Sequence, residues 1–214
     1  MPERRTPRAP AGGTGPRPVS DDDIRILESI QDRLLWLSMR IIHYANHERP
    51  NPEKSKIGGH PASAVTILTA LYFSLLEEQD RIAVKPHASP VLHAAMYLLG
   101  ALPRERLTTL REYGGLQAYP SRTKDSDPVD FSTGSVGLGA VAPSFAALVQ
   151  RYAESHFGST TAGRFVALSG DAELAWLATG IAETVTNDLT GFRVLRVVDR
   201  VRIGEAVRRT DGSM

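Results

Sequence analysis

The chain has 214 residues, 42% hydrophobic and 23% charged, which is the composition of a globular protein with one well-buried core. A formal net charge of +1 gives no basic footprint for nucleic acid, and no apolar run reaches the roughly 18 residues of a membrane span. The absence of cysteine excludes disulfides and thiolate metal ligands and is compatible with the cytoplasm, where we expect this protein.

The first residues have a composition of their own. Residues 1–19 include five prolines and four arginines but few apolar side chains, so they bury too little surface to offset the entropy lost on ordering. We therefore expect a disordered tail over residues 1–19, a folded domain over residues 20–204 and a short C-terminal tail over residues 205–214.

The first half of the chain is predicted to be mainly helical. Apolar residues recur at helical spacing after the capping cluster that begins at Ser20, and they predict a long amphipathic helix that ends near Ile41. A second, largely apolar helix is predicted over residues 62–76, and a short strand over residues 82–84. A third helix is predicted over residues 87–99, with a proline near its first turn.

The second half begins with a polar helical stretch over residues 104–112 and a long, glycine-rich irregular segment over residues 113–139. Irregular segments of that length in compact domains are usually functional. The remaining predicted elements are a helix from Pro143 to Ser155, a strand that begins at Phe165, a helix over residues 174–186 and a strand over residues 194–198. This alternation predicts an α/β layer fold with a largely parallel sheet.

Three glycine-rich junctions flank the predicted helices and strands: Gly58-Gly59-His60, Gly134-Ser135-Val136-Gly137-Leu138-Gly139 and Gly170-Asp171-Ala172-Glu173. Free N–H groups at a helix N-terminus bind phosphate, and glycine lets the backbone approach it closely. Asp171 follows a strand end, where a carboxylate can hold a metal ion. The segment alone favours Asp171 as the N-cap of a following helix and leaves the metal-ligand interpretation open.

Five short motifs follow one another along the chain: Ser55-Lys56-Ile57-Gly58-Gly59-His60-Pro61-Ala62-Ser63, Lys85-Pro86-His87-Ala88-Ser89-Pro90, Gly115-Leu116-Gln117-Ala118-Tyr119-Pro120, Ser135-Val136-Gly137-Leu138-Gly139 and Gly170-Asp171-Ala172-Glu173-Leu174. In this order, over residues 31–202, they resemble the first domain of the transketolase-like thiamine diphosphate enzymes, and in particular the homodimeric pyruvate dehydrogenase decarboxylase component. The resemblance implies a three-layer α/β fold, with a mainly parallel sheet flanked by helices. It also implies that thiamine diphosphate is held through Mg²⁺.

The resemblance further implies roles for the residues that match the family's motifs. Asp171 is the expected magnesium ligand, because Mg²⁺ prefers oxygen and bridges phosphates. His60 and His87 match the family's active-site histidines, which contact the diphosphate or assist proton transfer. The expected cofactor-binding residues are Val136, Gly137, Leu138, Gly170, Asp171, Ala172 and Glu173.

Two departures from the family's pattern bear on the metal site. The family places an asparagine about thirty residues after the aspartate to complete the magnesium site, and here Val201 takes its place without a side-chain oxygen. One ligand is then missing unless Asn187 or a backbone carbonyl substitutes, and Asn187 is expected at the wrong end of the next strand. The acidic stretch that usually follows the aspartate is replaced by the apolar Ala175-Trp176-Leu177-Ala178.

The resemblance leaves two hypotheses for function open. In the family, the glutamate that activates the cofactor lies in a pyrimidine-binding domain, which these 214 residues lack, so the chain is expected to be inactive alone. The first hypothesis is the diphosphate-binding half of a split transketolase or 2-oxo acid (pyruvate) dehydrogenase/decarboxylase, paired with a pyrimidine-binding subunit in trans, as a homodimer, or both. The second is a truncated, non-catalytic homologue that acts as a partner or scaffold subunit. Neither nucleic acid nor a membrane is an expected partner.

Overall fold

The computed structural model describes residues 19–50, 62–134, 138–158 and 163–169, all within one unit, Met1–Glu173. The elements in these residues are α1 (Asp21–His43), α2 (Ala62–Ala70), β1 (Arg81–Val84), α3 (Ser89–Leu98), α4 (Leu138–Phe157) and β2 (Phe165–Leu168). This helix-rich arrangement with parallel strands is compatible with the predicted α/β class.

Several predicted parts of the chain lie outside the described residues. They are the first 18 residues of the N-terminal tail, the helix over residues 174–186, the strand over residues 194–198 and the C-terminal tail over residues 205–214. The predictions for these parts, and the domain limits at 20 and 204, stay predictions.

The helix α1 begins where the capping cluster predicts. Ser20 is its N-cap, and Ser20 Oγ accepts a hydrogen bond from the Asp23 N–H at 3.2 Å while Asp23 Oδ2 accepts one from the Ser20 N–H at 3.0 Å. This reciprocal pair satisfies two N–H groups that lack partners within the helix. Three consecutive aspartates in the first turn also interact favourably with the positive end of the helix dipole.

Both α1 and α2 continue into a wider π-helical turn. Tyr44–Glu48 extends α1, and Leu71–Leu75 extends α2 before the chain becomes extended at Leu76. The predicted second helix over residues 62–76 is therefore confirmed in extent, although its last turn is not α-helical.

The sheet of the described residues consists of β1 and β2 in parallel. Arg81 pairs with Phe165 and Val84 pairs with Leu168, so both strands end at the same level. A parallel pair needs a long crossover between its strands. Here that crossover contains α3, the irregular segment and α4.

The helix α3 is the centre of the core. Every residue from 89 to 96 is buried, which explains why the sequence is apolar on all sides of this helix. Leu34 of α1, Leu68 of α2 and Met96 of α3 are fully buried in one cluster, which also includes Leu116 of the irregular segment. The buried side chains of that segment explain how a stretch without regular structure keeps one conformation.

The predicted start of the fourth helix at Pro143 is wrong, because α4 begins at Leu138. Proline is favoured in the first turn but lacks an N–H and crowds the preceding turn inside a helix. Pro143 is the sixth residue of α4, so it forgoes one intrahelical hydrogen bond to the preceding turn. The helix nevertheless continues through the proline.

The segment between α3 and α4 is largely irregular, as predicted. A 3₁₀-helical stretch, Arg104–Thr108, replaces the polar helix predicted over residues 104–112. Residues 109–134, called the irregular segment below, form neither helix nor strand. Arg111 adopts a positive φ of 64°, and its N–H donates to the Leu116 carbonyl at 2.8 Å. This turn ends the helical stretch early.

Candidate functional site

The irregular segment lies along the edge of β1 and ends at its carboxyl terminus. The Ile82 N–H donates to Asp130 Oδ2 at 2.9 Å, and Thr133 Oγ1 donates to the Val84 carbonyl at 3.0 Å. Thr133 is buried. Side chains therefore bond to the backbone N–H of Ile82 and the carbonyl of Val84, which a further strand would otherwise pair with. The irregular segment then reaches the carboxyl edge of the sheet at Gly134.

The N-terminus of α4 lies next to this point. A Cβ on Gly134 would lie 3.5 Å from Leu138 Cδ1, and a Cβ on Gly139 would lie 4.0 Å from Thr133 Cγ2. Since Thr133 bonds to the last carbonyl of β1, the first turn of α4 begins close to the carboxyl edge. No acidic residue occupies that turn, so the positive end of the helix dipole favours an anion there.

His87 follows β1 at the same edge. It is the central residue of a 3₁₀ turn, Pro86–Ala88, and its side chain is exposed while the residues on either side are buried. The other strand, β2, ends level with Val84, and Ser169 continues the chain beyond it. In open α/β sheets ligands bind in the crevice outside the carboxyl ends of the strands.

Two of the predicted site residues are described. His87 follows β1 at the carboxyl edge, and Leu138 is the first residue of α4, with its side chain exposed. The others lie outside the described residues: His60, Val136, Gly137, Gly170, Asp171, Ala172 and Glu173. Their roles as catalytic, cofactor-binding or metal-binding residues stay predictions.

A second cluster of titratable side chains, which the sequence analysis missed, lies between α3 and the irregular segment. His93 of α3 is completely buried, and its Nδ1 lies 2.8 Å from Asp127 Oδ2 and its Nε2 lies 2.9 Å from the Gln117 carbonyl oxygen. Asp125 is half-buried, and its two oxygens accept hydrogen bonds from the N–H groups of Gln117 and Ser121, each at 2.7 Å. His93, Asp125 and Asp127 each contribute one potential ligand atom, and these three atoms lie within 4.8 Å of one another.

The protonation of this cluster follows from its surroundings. Burial disfavours a charged imidazole, but the hydrogen bond with Asp127, the charge of that carboxylate and the Gln117 carbonyl together raise the pKa of His93. Burial raises the pKa of Asp125, against the hydrogen bonds that favour its charged form. Asp127 Oδ1 is buried and has no hydrogen-bond partner.

A sequence signal for this cluster exists but is faint. His93 is the only titratable side chain in the run of buried residues from 89 to 96, and a polar residue in an otherwise apolar helix needs a partner. Its partner Asp127 lies 34 positions later in a segment without regular periodicity. The spacing of the residues therefore gives no means of pairing them.

Comparison with known proteins identifies relatives at modest identity. The chain is 35% identical over 101 residues to the 6-deoxy-6-sulfo-D-fructose transketolase subunit SqwG of Clostridium sp. (strain MSTE9), covering 41% of this chain and 37% of SqwG. It is 27% identical over 176 residues to the pyruvate dehydrogenase E1 component of Cupriavidus necator, covering 77% of this chain and 18% of that protein. The chain is a relative of transketolase and pyruvate dehydrogenase E1 proteins. The resemblance predicted from the five motifs is therefore confirmed.

The matches cover only part of each relative. A further relative, the E1 component of Corynebacterium glutamicum, is 33% identical over 101 residues, which cover 44% of this chain but 11% of that protein. The chain thus spans well under half of SqwG and less than a fifth of these E1 components. No protein-family model matches the chain. Among the described residues, no helix is both long and apolar enough to cross a membrane.

Proposed function

We propose that this chain is the diphosphate-binding half of a split thiamine diphosphate-dependent enzyme, either a transketolase or a 2-oxo acid (pyruvate) dehydrogenase. The relationship to SqwG carries the proposal, because that relative is named as a subunit of a transketolase. An alignment of 101 residues covers 37% of SqwG but 11% of the C. glutamicum E1 component, so SqwG is about a third as long. A short transketolase subunit supports a function divided between chains.

The described residues at the carboxyl edge suit a diphosphate group. The first turn of α4 has no acidic residue, and the hydrogen bond from Thr133 to Val84 fixes the chain just before that turn. A diphosphate bound here would accept hydrogen bonds from free N–H groups and interact with the positive end of the helix dipole. His87, exposed at the same edge, supplies a further donor, and His60 is proposed as its companion.

The cofactor would supply chemistry that side chains lack, namely the stabilisation of a carbanion. In the proposal this chain holds the diphosphate through Mg²⁺, with Asp171 as the anionic ligand because Mg²⁺ prefers carboxylate oxygen. The backbone at residues 136–138 would lie beneath the cofactor, and Gly170, Ala172 and Glu173 would complete its surroundings. A partner subunit would provide the glutamate that activates the aminopyrimidine.

We also propose a three-layer fold, a partner subunit and a cytoplasmic location for this protein. A three-layer architecture would follow if the predicted strand over residues 194–198 joins the parallel pair β1 and β2, with helices on both faces. The partner would be a pyrimidine-binding subunit or a second copy of the chain. We place the protein in the cytoplasm, with neither nucleic acid nor a membrane as a partner.

Calorimetry with thiamine diphosphate tests the binding proposal directly. The full chain, with and without a candidate pyrimidine-binding subunit, is titrated in the presence and absence of Mg²⁺. We expect binding that requires Mg²⁺ and that Asp171→Asn weakens at least about tenfold, because the substitution removes the anionic ligand. Glu112→Gln, which neutralises an exposed carboxylate in the irregular segment, is the matched control and should leave the affinity unchanged. Equal affinities of the Asp171→Asn variant and the unmodified chain would remove Asp171 from the site.

A second candidate function rests on Val201, which stands where the family has an asparagine ligand. In this alternative the chain is a non-catalytic homologue that acts as a partner or scaffold subunit. Val201→Asn separates the two candidates, because it restores a side-chain oxygen at that position. A several-fold gain in Mg²⁺-dependent cofactor binding supports an otherwise intact cofactor site that the valine alone weakens. No binding by either form, with or without a partner subunit, supports the scaffold.

A further inference from the structure

We propose that His93, Asp125 and Asp127 form a binding site for a divalent transition-metal ion of the zinc class, separate from the predicted magnesium site. Three potential ligand atoms, one from each residue, lie within 4.8 Å of one another. An imidazole with two carboxylates is a donor set for Zn²⁺ and related ions, since borderline metals bind both nitrogen and oxygen. With three protein ligands, a fourth position stays open to water.

An unpartnered buried oxygen is a second, independent indication of a cation site. Asp127 Oδ1 is buried and accepts no hydrogen bond, and the Asp127 side chain has no exposed surface. A carboxylate withdrawn from water is costly unless both of its oxygens are satisfied. His93 satisfies Oδ2 alone. A metal ion bound by this carboxylate would give Oδ1 the partner that it lacks.

The imidazole of His93 is held in the orientation that a metal ligand requires. Its Nε2 lies 2.9 Å from the Gln117 carbonyl oxygen, which can only accept, so Nε2 carries a proton. Loss of the second proton then leaves a lone pair on Nδ1, the atom that faces Asp127. Metal-bound histidines characteristically donate their other N–H to a backbone carbonyl, which fixes the tautomer and the ring.

The ligand atoms would have to draw together around an ion. Neighbouring ligands of a tetrahedral Zn²⁺, each bonded at 2.0–2.2 Å, are separated by about 3.4 Å. The three atoms lie within 4.8 Å of one another, so the widest separation would close by up to about 1.4 Å. Asp125 is half-buried, so it can move and offers a route from solvent. Its oxygens accept one backbone hydrogen bond each, and each keeps a second lone pair for a metal.

The proposed metal site joins the irregular segment to the core of the protein. Asp125 and Asp127 belong to the irregular segment, whose end Thr133 is tied to the last carbonyl of β1. His93 belongs to the fully buried α3. A metal ion bound by all three residues would fix the irregular segment to α3. The fixed point would lie a few residues before Thr133, where the segment reaches the carboxyl edge. We therefore expect bound metal to raise the thermal stability of the protein.

Zinc titration of the full chain tests the site. Protein is stripped with a chelator, its circular dichroism spectrum is checked, and Zn²⁺ is titrated by calorimetry, with the absorbance of bound Co²⁺ as a second probe. We expect one high-affinity equivalent and a higher melting temperature. Asp127→Asn and Asp125→Asn should each weaken binding at least about tenfold. Asp171→Asn should leave Zn²⁺ binding unchanged, which separates this site from the proposed function.

An exposed histidine pair supplies the necessary control. The rings of His43 and His47 lie 4.9 Å apart on the surface of the first helix and can bind Zn²⁺ weakly. His47→Gln should leave the high-affinity equivalent intact. The proposal is overturned if His47→Gln abolishes it, if the folded, chelator-treated chain binds no Zn²⁺, or if neither aspartate variant changes the affinity. Asp125 is half-buried, so its asparagine variant keeps the test valid even where Asp127→Asn impairs folding.

Discussion

Asp80 is a buried carboxylate that joins the amino ends of both strands. It immediately precedes β1, and its oxygens accept from the Arg164 N–H at 2.6 Å, from Arg164 Nη2 at 2.5 Å and from the Glu77 N–H at 2.9 Å. Only 2% of its surface is exposed. Arg164 immediately precedes β2, and its Nη2 also donates to the Leu75 carbonyl. One side chain therefore sets the relative level of β1 and β2.

Asp80→Asn should lower the free energy of unfolding by about 2–4 kcal/mol. Breaking a buried ion pair costs about 3–5 kcal/mol, and the value is smaller here because the Arg164 side chain, 57% exposed, regains water. Chemical denaturation measures the change. Asp22→Asn removes a fully solvated pair with Arg25 and should change stability by less than about 1 kcal/mol. A loss for Asp80→Asn no larger than that of this control would contradict the role given to Asp80.

The same carboxylate gives a prediction for acid stability. Burial favours the neutral acid, but hydrogen bonds from the Arg164 side chain and from the N–H groups of Glu77 and Arg164 hold the pKa of Asp80 below its ordinary value. A lowered pKa contributes stability above the unfolded pKa of about 3.9, and that contribution is lost as pH falls through the lowered value. The stability difference between the unmodified chain and Asp80→Asn should therefore shrink below about pH 4. A difference that stays constant to pH 2.5 would contradict it.

Residue pairs of this kind are hard to predict from the sequence. Asp80 and Arg164 are separated by 84 positions, and His93 and Asp127 by 34, so each pair meets only after the chain has folded. Local signals were more informative. Ser20 and Asp23 are three positions apart, and their capping box marks the start of α1 where the sequence places it.

At the scale of elements, a glycine lets the amino end of β2 approach β1 closely. A Cβ on Gly163 would lie 2.1 Å from the Gln79 carbonyl oxygen and 2.6 Å from the Asp80 nitrogen. Both neighbours are backbone atoms, which cannot rotate away. Any side chain at this position therefore separates the segments that precede the two strands.

Gly163→Ala should destabilise the fold by about 1–3 kcal/mol, the usual cost of forcing atoms into filled space. Gly139→Ala in the first turn of α4 is the matched control, because its added Cβ finds no atom nearer than 4.0 Å. That change should be neutral or should stabilise the helix by up to about 1 kcal/mol. Thermal and denaturant unfolding of both variants provide the measurement. Equal stabilities of the two variants would show that the backbone near Gln79 yields readily.

The elements were predicted best where the pattern is local and strong. The strand predicted over residues 82–84 and the third helix match β1 and α3, because β-branched and apolar runs with flanking polar residues are short-range signals. The helix α4 begins five residues before the predicted start at Pro143, because proline is typical of a first helical turn but here stands within the helix. The irregular segment was predicted as irregular, but side-chain bonds such as Thr133 to Val84 have no periodicity to reveal them.

At the scale of the whole molecule, the sequence predicts that the strands end at one edge of the sheet, but it predicts only some of the side chains that lie near that edge. The two parallel strands end level with each other, so the segments after Val84 and Leu168 lie at one edge of the sheet. The alternation of helices and strands along the sequence predicts this arrangement. His87 lies there as an exposed residue. The sequence does not predict the cluster of His93, Asp125 and Asp127, because none of the five motifs includes these residues.

The proposed division of function between chains makes a final prediction about turnover. The purified chain alone, supplied with thiamine diphosphate and Mg²⁺, should catalyse neither ketol transfer nor 2-oxo acid decarboxylation, because in the proposal another subunit provides the activating glutamate. Activity should appear when a pyrimidine-binding subunit is added. Asp171→Asn should then lower that activity, and Glu112→Gln should not. Steady turnover by the chain alone, with host enzymes excluded by a parallel mock purification, would show that one chain suffices. Mixed subunits that neither bind the cofactor nor turn over would instead favour the scaffold role suggested by Val201.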